Sequence, residues 1–187
     1  AWSSAASDVY KRQTLVKPNK VDYKISDNKK FGTVVIEPLE KGFGTTLGNA
    51  LRRVLLSSLQ GTAISSIKIN GVLHEFSTIE GVREDVTDII MNLKNVTFNS
   101  KSNHSQKLSL NIKGPKEVLS SDFEENPEVE IIDKEAVIMN VDSNREVNLE
   151  IFLDVNKGYI SAEKNKDNEN KSVGQIILDA TYSPVKR

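Results

Sequence analysis

Residues 40–61 read EKGFGTTLGNALRRVLLSSLQG. Gly42, Gly44 and Gly48 precede an apolar run that carries the adjacent pair Arg52 and Arg53. Two readings compete: a glycine loop that cradles phosphate ahead of a helix, and a helix that packs closely against another chain. Gly42-Phe43-Gly44 begins the GxGxxG pattern, but position 47 is Leu and the next glycine is Gly48. No Gly-Lys-Ser/Thr follows, so the lysine and the metal-binding hydroxyl of a nucleotide P-loop are missing. A strand-like segment before the stretch and a helical one after it are what favour the phosphate reading. It stays as the rival: a nucleotide-binding enzyme domain using the 42–48 glycine stretch.

The packing reading explains more of the residues. A helix is predicted from Thr45 or Thr46 to Gln60, with a threonine capping its start and Gly61 in place for a left-handed stop. Gly44 and Gly48, one turn apart and without side chains, let another backbone come close. At 100° per residue, Leu47, Ala50, Leu51, Val54, Leu55 and Ser58 form one broad face. Asn49, Arg53, Leu56 and Gln60 line up on the opposite side. An ordinary surface helix has a charged back; a back of one arginine, two amides and a leucine suits a surface covered in an assembly. Arginine anchors interfaces through its planar fork. An exposed arginine beside a stray leucine remains open on spacing alone.

Working outward, residues 31–39 (FGTVVIEPL) are β-branched and bounded by Gly and Pro, which predicts a strand. In 63–76 (AISSIKINGVLHEF), Asn70-Gly71 sits between alternating apolar residues and predicts a tight hairpin. Ser77 to Glu80 matches a capping box, weakened by Gly81 behind it. Val86, Ile89, Ile90 and Leu93 have i, i+3, i+4, i+7 spacing, which predicts a helix from about Arg83 to Lys94. Short strands follow at 95–98, 107–113, 128–132, 136–141 and 147–155, punctuated by Asn, Asp, Gly, Ser and Pro. Glu163 to Ser172 is a polar loop with nothing to bury, and 173–182 (VGQIILDATY) returns to strand character. Two helical segments among many short strands make the fold α+β.

The chain has 187 residues, 25 basic and 26 acidic, a balance that argues against a dedicated nucleic-acid or anionic-membrane binder. The charge is uneven, with 10 Lys/Arg against 4 Asp/Glu in residues 11–60. Cysteine is absent, which excludes disulfides, thiolate metal sites and cysteine nucleophiles and fits a cytosolic setting. No apolar run is long enough to span a bilayer. Residues 1–13 (AWSSAASDVYKRQ) lack the order of a secretion signal and read as a disordered or extraneous leader.

Other candidate chemistry is thin. His74 adjoins Glu75, but neighbours on a strand point to opposite faces, so a structural hydrogen bond outweighs a catalytic pair. His104 lies in a turn-like run with no ligand partner nearby in sequence. Ser121 to Glu130 (SDFEENPEVE) is acidic but lacks the glycine and spacing of a calcium loop. No serine sits in a nucleophile elbow, and two histidines cannot build a three-histidine zinc site. No catalytic residue, cofactor site or metal site is assigned.

Three stretches, EPLEKGFGTTLGNALRRVLLSSLQG, INGVLHEFSTIEGVREDVTDIIMNLK and DATYSPVKR, strongly resemble the bacterial RNA polymerase α subunit in its N-terminal assembly domain. The similarity runs in order from about Leu15 to Arg187 and is weaker over 95–165. A nearer rival, the archaeal or eukaryotic counterpart, shares the dimerisation motif, but the VLHEF to MNLK block looks bacterial or plastid. The resemblance implies a two-lobed protein. Residues 14–60 and 181–187 belong to a dimerisation lobe whose second half lies beyond this chain, so dimerisation by these residues alone is left open. Residues 61–180 form an inserted strand-rich domain with one helix.

In that family two α copies dimerise and then recruit the β and β′ subunits, with catalysis and magnesium in β′. The resemblance implies that Phe43, Leu47, Leu51 and Leu55 lie on the dimer and core face; Ala50 and Val54 share that face by projection. Arg53 and Leu56 match positions of β contact, with Asn49 and Gln60 on the same stripe, and Asp88 and Lys94 match the β′-facing side. It implies a non-catalytic scaffold in the bacterial cytoplasm, at the nucleoid as part of the polymerase, or in a plastid. It assigns no DNA binding to these residues, since that belongs to a separate C-terminal domain.

Overall fold

A computed structural model of the chain describes residues 16–27, 30–142, 144–167 and 174–185. The leader read at 1–13 and the end of the 163–172 loop lie outside them. Along the chain come β1 (Lys20–Ile25), β2 (Gly32–Glu37), α1 (Phe43–Ser57), β3 (Gln60–Ile69) and α2 (Val86–Asn95). Next are β4 (Phe98–Ser100), β5 (Gln106–Lys113), β6 (Lys116–Leu119), a 3-10 turn (Ser120–Asp122), β7 (Val129–Ile131) and β8 (Val137–Val141). β9 (Glu146–Lys157), β10 (Tyr159–Ile160), α3 (Ala162–Asp167), β11 (Gln175–Ile177) and β12 (Ala180–Thr181) complete the described elements. The fold is α+β, with antiparallel sheets and two compact units divided inside α1, between Arg52 and Arg53.

The second unit holds the core. Its four-stranded sheet runs β11-β3-β9-β5. Alternation in β9 buries Val147, Leu149, Ile151 and Leu153, and alternation in β5 buries Leu108, Leu110 and Ile112. The registers bring these together in rows: Ile176, Ile67, Ile151 and Leu108 across all four strands, then Ile69, Leu149 and Leu110. Such same-face neighbours are the unit of sheet stability. Each fully buried aliphatic side chain adds about 1.5–3 kcal/mol over leaving it in water. α2 forms as its spacing predicts. Val86, Ile89, Ile90 and Leu93 are all buried, packing toward β8 and β3.

The hairpin predicted at Asn70-Gly71 does not form. A tight turn is there, with Gly71 at φ +82° and Val72 N–H donating to Ile69 O at 3.1 Å. The chain after it does not return as a strand, because β3 already has neighbours on both edges: β9 along its length and β11 at 66–68. Residues 72–85 instead run as an irregular segment tied to other parts of the unit. Arg83 N–H donates to Asn140 O, Glu84 accepts from both Asn140 N–H and its side-chain amide, and Arg145 pairs with Glu80. Ser77, read as a cap, bonds His74 at 3.1 Å, and α2 starts later, with Asp85 before it.

The other boundary corrections surround α1. The helix starts two to three residues before the predicted threonines and ends at Ser57. Gly61 is no helix stop; it lies in β3, where an added Cβ would stand 1.9 Å from Tyr182 O. The glycine there permits a backbone of another segment to come close. In the first unit β1 and β2 pair antiparallel from Lys20↔Glu37 to Ile25↔Gly32. Lys20 bonds Asp22 and Glu37, which hold its ammonium pKa above the ordinary value.

Candidate subunit interface

α1 carries most of the residues singled out from sequence, and none of its residues is buried. Phe43, Leu51, Val54 and Leu55 keep 40–51 % of their surface exposed; Ala50 is exposed too, and Leu47 is half-buried. The face that sequence reading makes apolar therefore stands open in this chain. Exposed apolar side chains continue in the first unit with Val21, Tyr23, Ile25, Phe31 and Val34. Exposed apolar side chains in such number are characteristic of interaction surfaces.

The glycines of the opening stretch separate by role. Gly42 has φ +92° and makes the turn before the helix, with Phe43 N–H donating to Glu40 O at 3.0 Å. Gly44 and Gly48 lie inside α1, and nothing approaches within 4 Å of where their Cβ atoms would be. With Gly44 already helical, the stretch is one tight turn and a helix start, without the wide backbone loop that wraps a nucleotide phosphate.

On the second stripe, Asn49 and Arg53 are exposed and Leu56 is half-buried. No hydrogen-bond or ion-pair partner meets the Arg53 guanidinium among the described residues, while its carbonyl accepts from Ser57 Oγ at 2.5 Å. Gln60 does not join the stripe on the helix. α1 has ended, and Gln60 opens β3 opposite Lys157. The C-terminal end of α1 is held by Gly158 and by residues 182 and 183. Ser183 Oγ lies 3.2 Å from Leu55 O, Tyr182 N–H donates to Gly158 O at 2.7 Å, and Gly158 at φ +64° sits against Ser57. The resemblance groups 181–187 with residues 14–60, while the small and polar residues of 179–187 give no periodicity of their own.

Asp88 and Lys94 part company on α2. Asp88 is exposed in the first turn, where the helix dipole favours an acid. Lys94 is in the last turn, about 120° around the helix at 100° per residue, and its Nζ lies 2.5 Å from Asp179 Oδ1. That partner was missed, because 85 positions separate the two residues. The pair stands on the rim of a groove of about 500 Å³ lined by Thr62, Phe98, Asn99 and Tyr182. Elsewhere in the unit, Leu73 and Phe76 are among the most exposed apolar side chains.

Among the described residues there is no group of three or more His, Cys, Asp or Glu side chains that could hold a metal, and no helix is long and apolar enough to cross a membrane. Most of the sheet of the second unit, α2 and the 179–183 segment fall within one family match. Residues 67–183 match the family described as the RNA polymerase Rpb3/RpoA insert domain. The match spans well over half of the chain, and the chain belongs to this family of RNA polymerase subunit domains.

Proposed function

We propose that the chain is a non-catalytic scaffold of a bacterial-type DNA-directed RNA polymerase, acting as the assembly part of an α subunit. In this reading residues 14–60 and 181–187 contribute to a dimerisation lobe and 61–180 form the inserted domain. Phe43, Leu47, Ala50, Leu51, Val54 and Leu55 meet a second α copy. Asn49, Arg53 and Leu56 face β, and Asp88 and Lys94 lie on the β′ side. The subunit works with the transcription machinery in the cytoplasm, at the nucleoid, or in a plastid.

The observation that carries the reading is the open apolar face of α1, which buries none of its residues. Covering such a face is the hydrophobic driving force for association. Side chains already 40–51 % exposed have much of their surface left to bury. At about 25 cal/mol per Å² that gain is set against the loss of translational and rotational freedom. Gly44 and Gly48, unopposed within 4 Å, leave room for a neighbouring backbone. The guanidinium of Arg53 is free to form a bidentate pair with a carboxylate, or to bond carbonyls, of a third chain.

Leu51→Asp in the full subunit tests the dimer face. The side chain is exposed in the isolated chain, so folding should tolerate the carboxylate. Burying it unpaired in a dimer costs several kcal/mol. Analytical ultracentrifugation should show monomer where the unmodified subunit is dimer. An unchanged dimer would remove this face from the interface.

A further inference from the structure

The Lys94–Asp179 pair is built differently from an ordinary surface ion pair. Both residues sit between buried neighbours: Leu93 and Val96 flank Lys94 closely, and Leu178 and Ala180 flank Asp179. Leu178 N–H donates to Ser65 O at 2.9 Å, and Ala180 pairs with Ile160 in the β10–β12 ladder. Neither backbone is free to drift, so holding the two side chains together costs less conformational freedom than exposed pairs usually lose. The side chains remain 30 % and 46 % exposed, for Lys94 and Asp179 respectively. Lys94 also lies in the last turn of α2, where the helix dipole already favours a cation. Asp179 meets the lysine from a distant segment of the chain. What it adds is direction.

An ammonium carries three N–H donors, and Asp179 Oδ1 occupies one of them at 2.5 Å. We infer that Asp179 is a positioning residue for Lys94: it selects the lysine conformation that presents the two remaining donors to acceptor oxygens of a docking subunit. Carboxylates and backbone carbonyls are the groups such a fixed ammonium recognises. The contact surface thereby joins the last turn of α2 to the chain between β11 and β12. The inference rests on the reading of Lys94 as a β′-side contact.

The test is capture of the β′ subunit by a preformed assembly of the full α subunit with β, using Lys94→Met, Asp179→Asn and Asp179→Ala variants. Asp179→Asn nearly preserves shape and covers the case in which the alanine variant fails to fold. Asp179→Asn and Lys94→Met should each weaken β′ capture about 3–10-fold, and the double variant should be no weaker than the worse single, as for coupled residues. Asp179→Glu should recover part of the loss, and α dimerisation and β capture should stay unchanged in all of them. A merely structural carboxylate would shift thermal stability and leave β′ capture alone. Normal β′ capture by Asp179→Asn beside a weakened Lys94→Met would overturn the inference, and so would losses that multiply in the double variant. If Lys94→Met itself binds β′ normally, the β′-side reading fails, and the inference with it.

Discussion

Replacing Gly61 by alanine puts a methyl group where a carbonyl already stands. The new Cβ would lie 1.9 Å from Tyr182 O, 3.1 Å from Tyr182 C and 3.5 Å from Pro184 Cδ. Ordinary C···O contacts begin at about 3.3 Å, so two backbones must separate by about 1.4 Å. They are poorly able to do so. Gly61 is paired with Asn156 in β3–β9, Tyr182 is buried, and its N–H donates to Gly158 O at 2.7 Å. Forced overpacking costs about 1–3 kcal/mol, and disturbing the Tyr182 hydrogen bond adds about 1 kcal/mol. A loss of about 3 kcal/mol, two orders of magnitude in the folding equilibrium, is expected. Urea unfolding measures it as a lowered midpoint at unchanged slope. Gly44→Ala is the control: nothing lies within 4 Å of the added methyl, and alanine favours a helix by about 0.5–1 kcal/mol. A Gly61→Ala chain within about 0.5 kcal/mol of the original, a surface-like value, would refute the close approach of 61 and 182.

Leu149→Ala removes a fully buried side chain from the middle of β9, in register with Ile69 and Leu110; a loss of about 2–5 kcal/mol is expected in the same urea assay. Asp122 gives a pH signature. Partial burial raises its pKa, but the Lys116 ammonium at 2.6 Å and the Leu119 N–H at 3.0 Å outweigh burial and hold it below the ordinary 3.8. The unfolded chain therefore takes up the proton first as pH falls. The stabilisation is complete above about pH 4–5 and is lost as pH drops through the folded value. Asp122→Asn should be less stable than the original at pH 7, with the gap closing in acid; a gap independent of pH would contradict the assignment.

Where a single periodicity governed a segment, the sequence was a sufficient guide. The i, i+3, i+4, i+7 set in α2 marks one buried face, and the strands read at 107–113 and 147–155 form as β5 and β9, whose buried residues join it in the core. Where two backbones from distant segments compete for one place, it was not. Asn70-Gly71 has the local chemistry of a hairpin, but pairing with β9 and β11 occupies both edges of β3. Gly61 was read as a helix terminator because its true neighbour, Tyr182, lies far along the chain. Gln60 was projected along a helix that had already ended, and that removed it from the stripe of Asn49, Arg53 and Leu56. The open face of α1 was legible as an apolar stripe. The fold adds that none of its residues is buried.

The central claim is that α1 presents two faces to two different chains, and Arg53→Ala in the full subunit tests it most directly. Arg53 is exposed and its side chain has no partner among the described residues, so its loss should leave the fold intact. Co-purification with β should fall about tenfold or more, in line with truncation of an interface arginine, while sedimentation still reports a dimer. Undiminished β capture combined with loss of the dimer would reverse the two faces and contradict the claim.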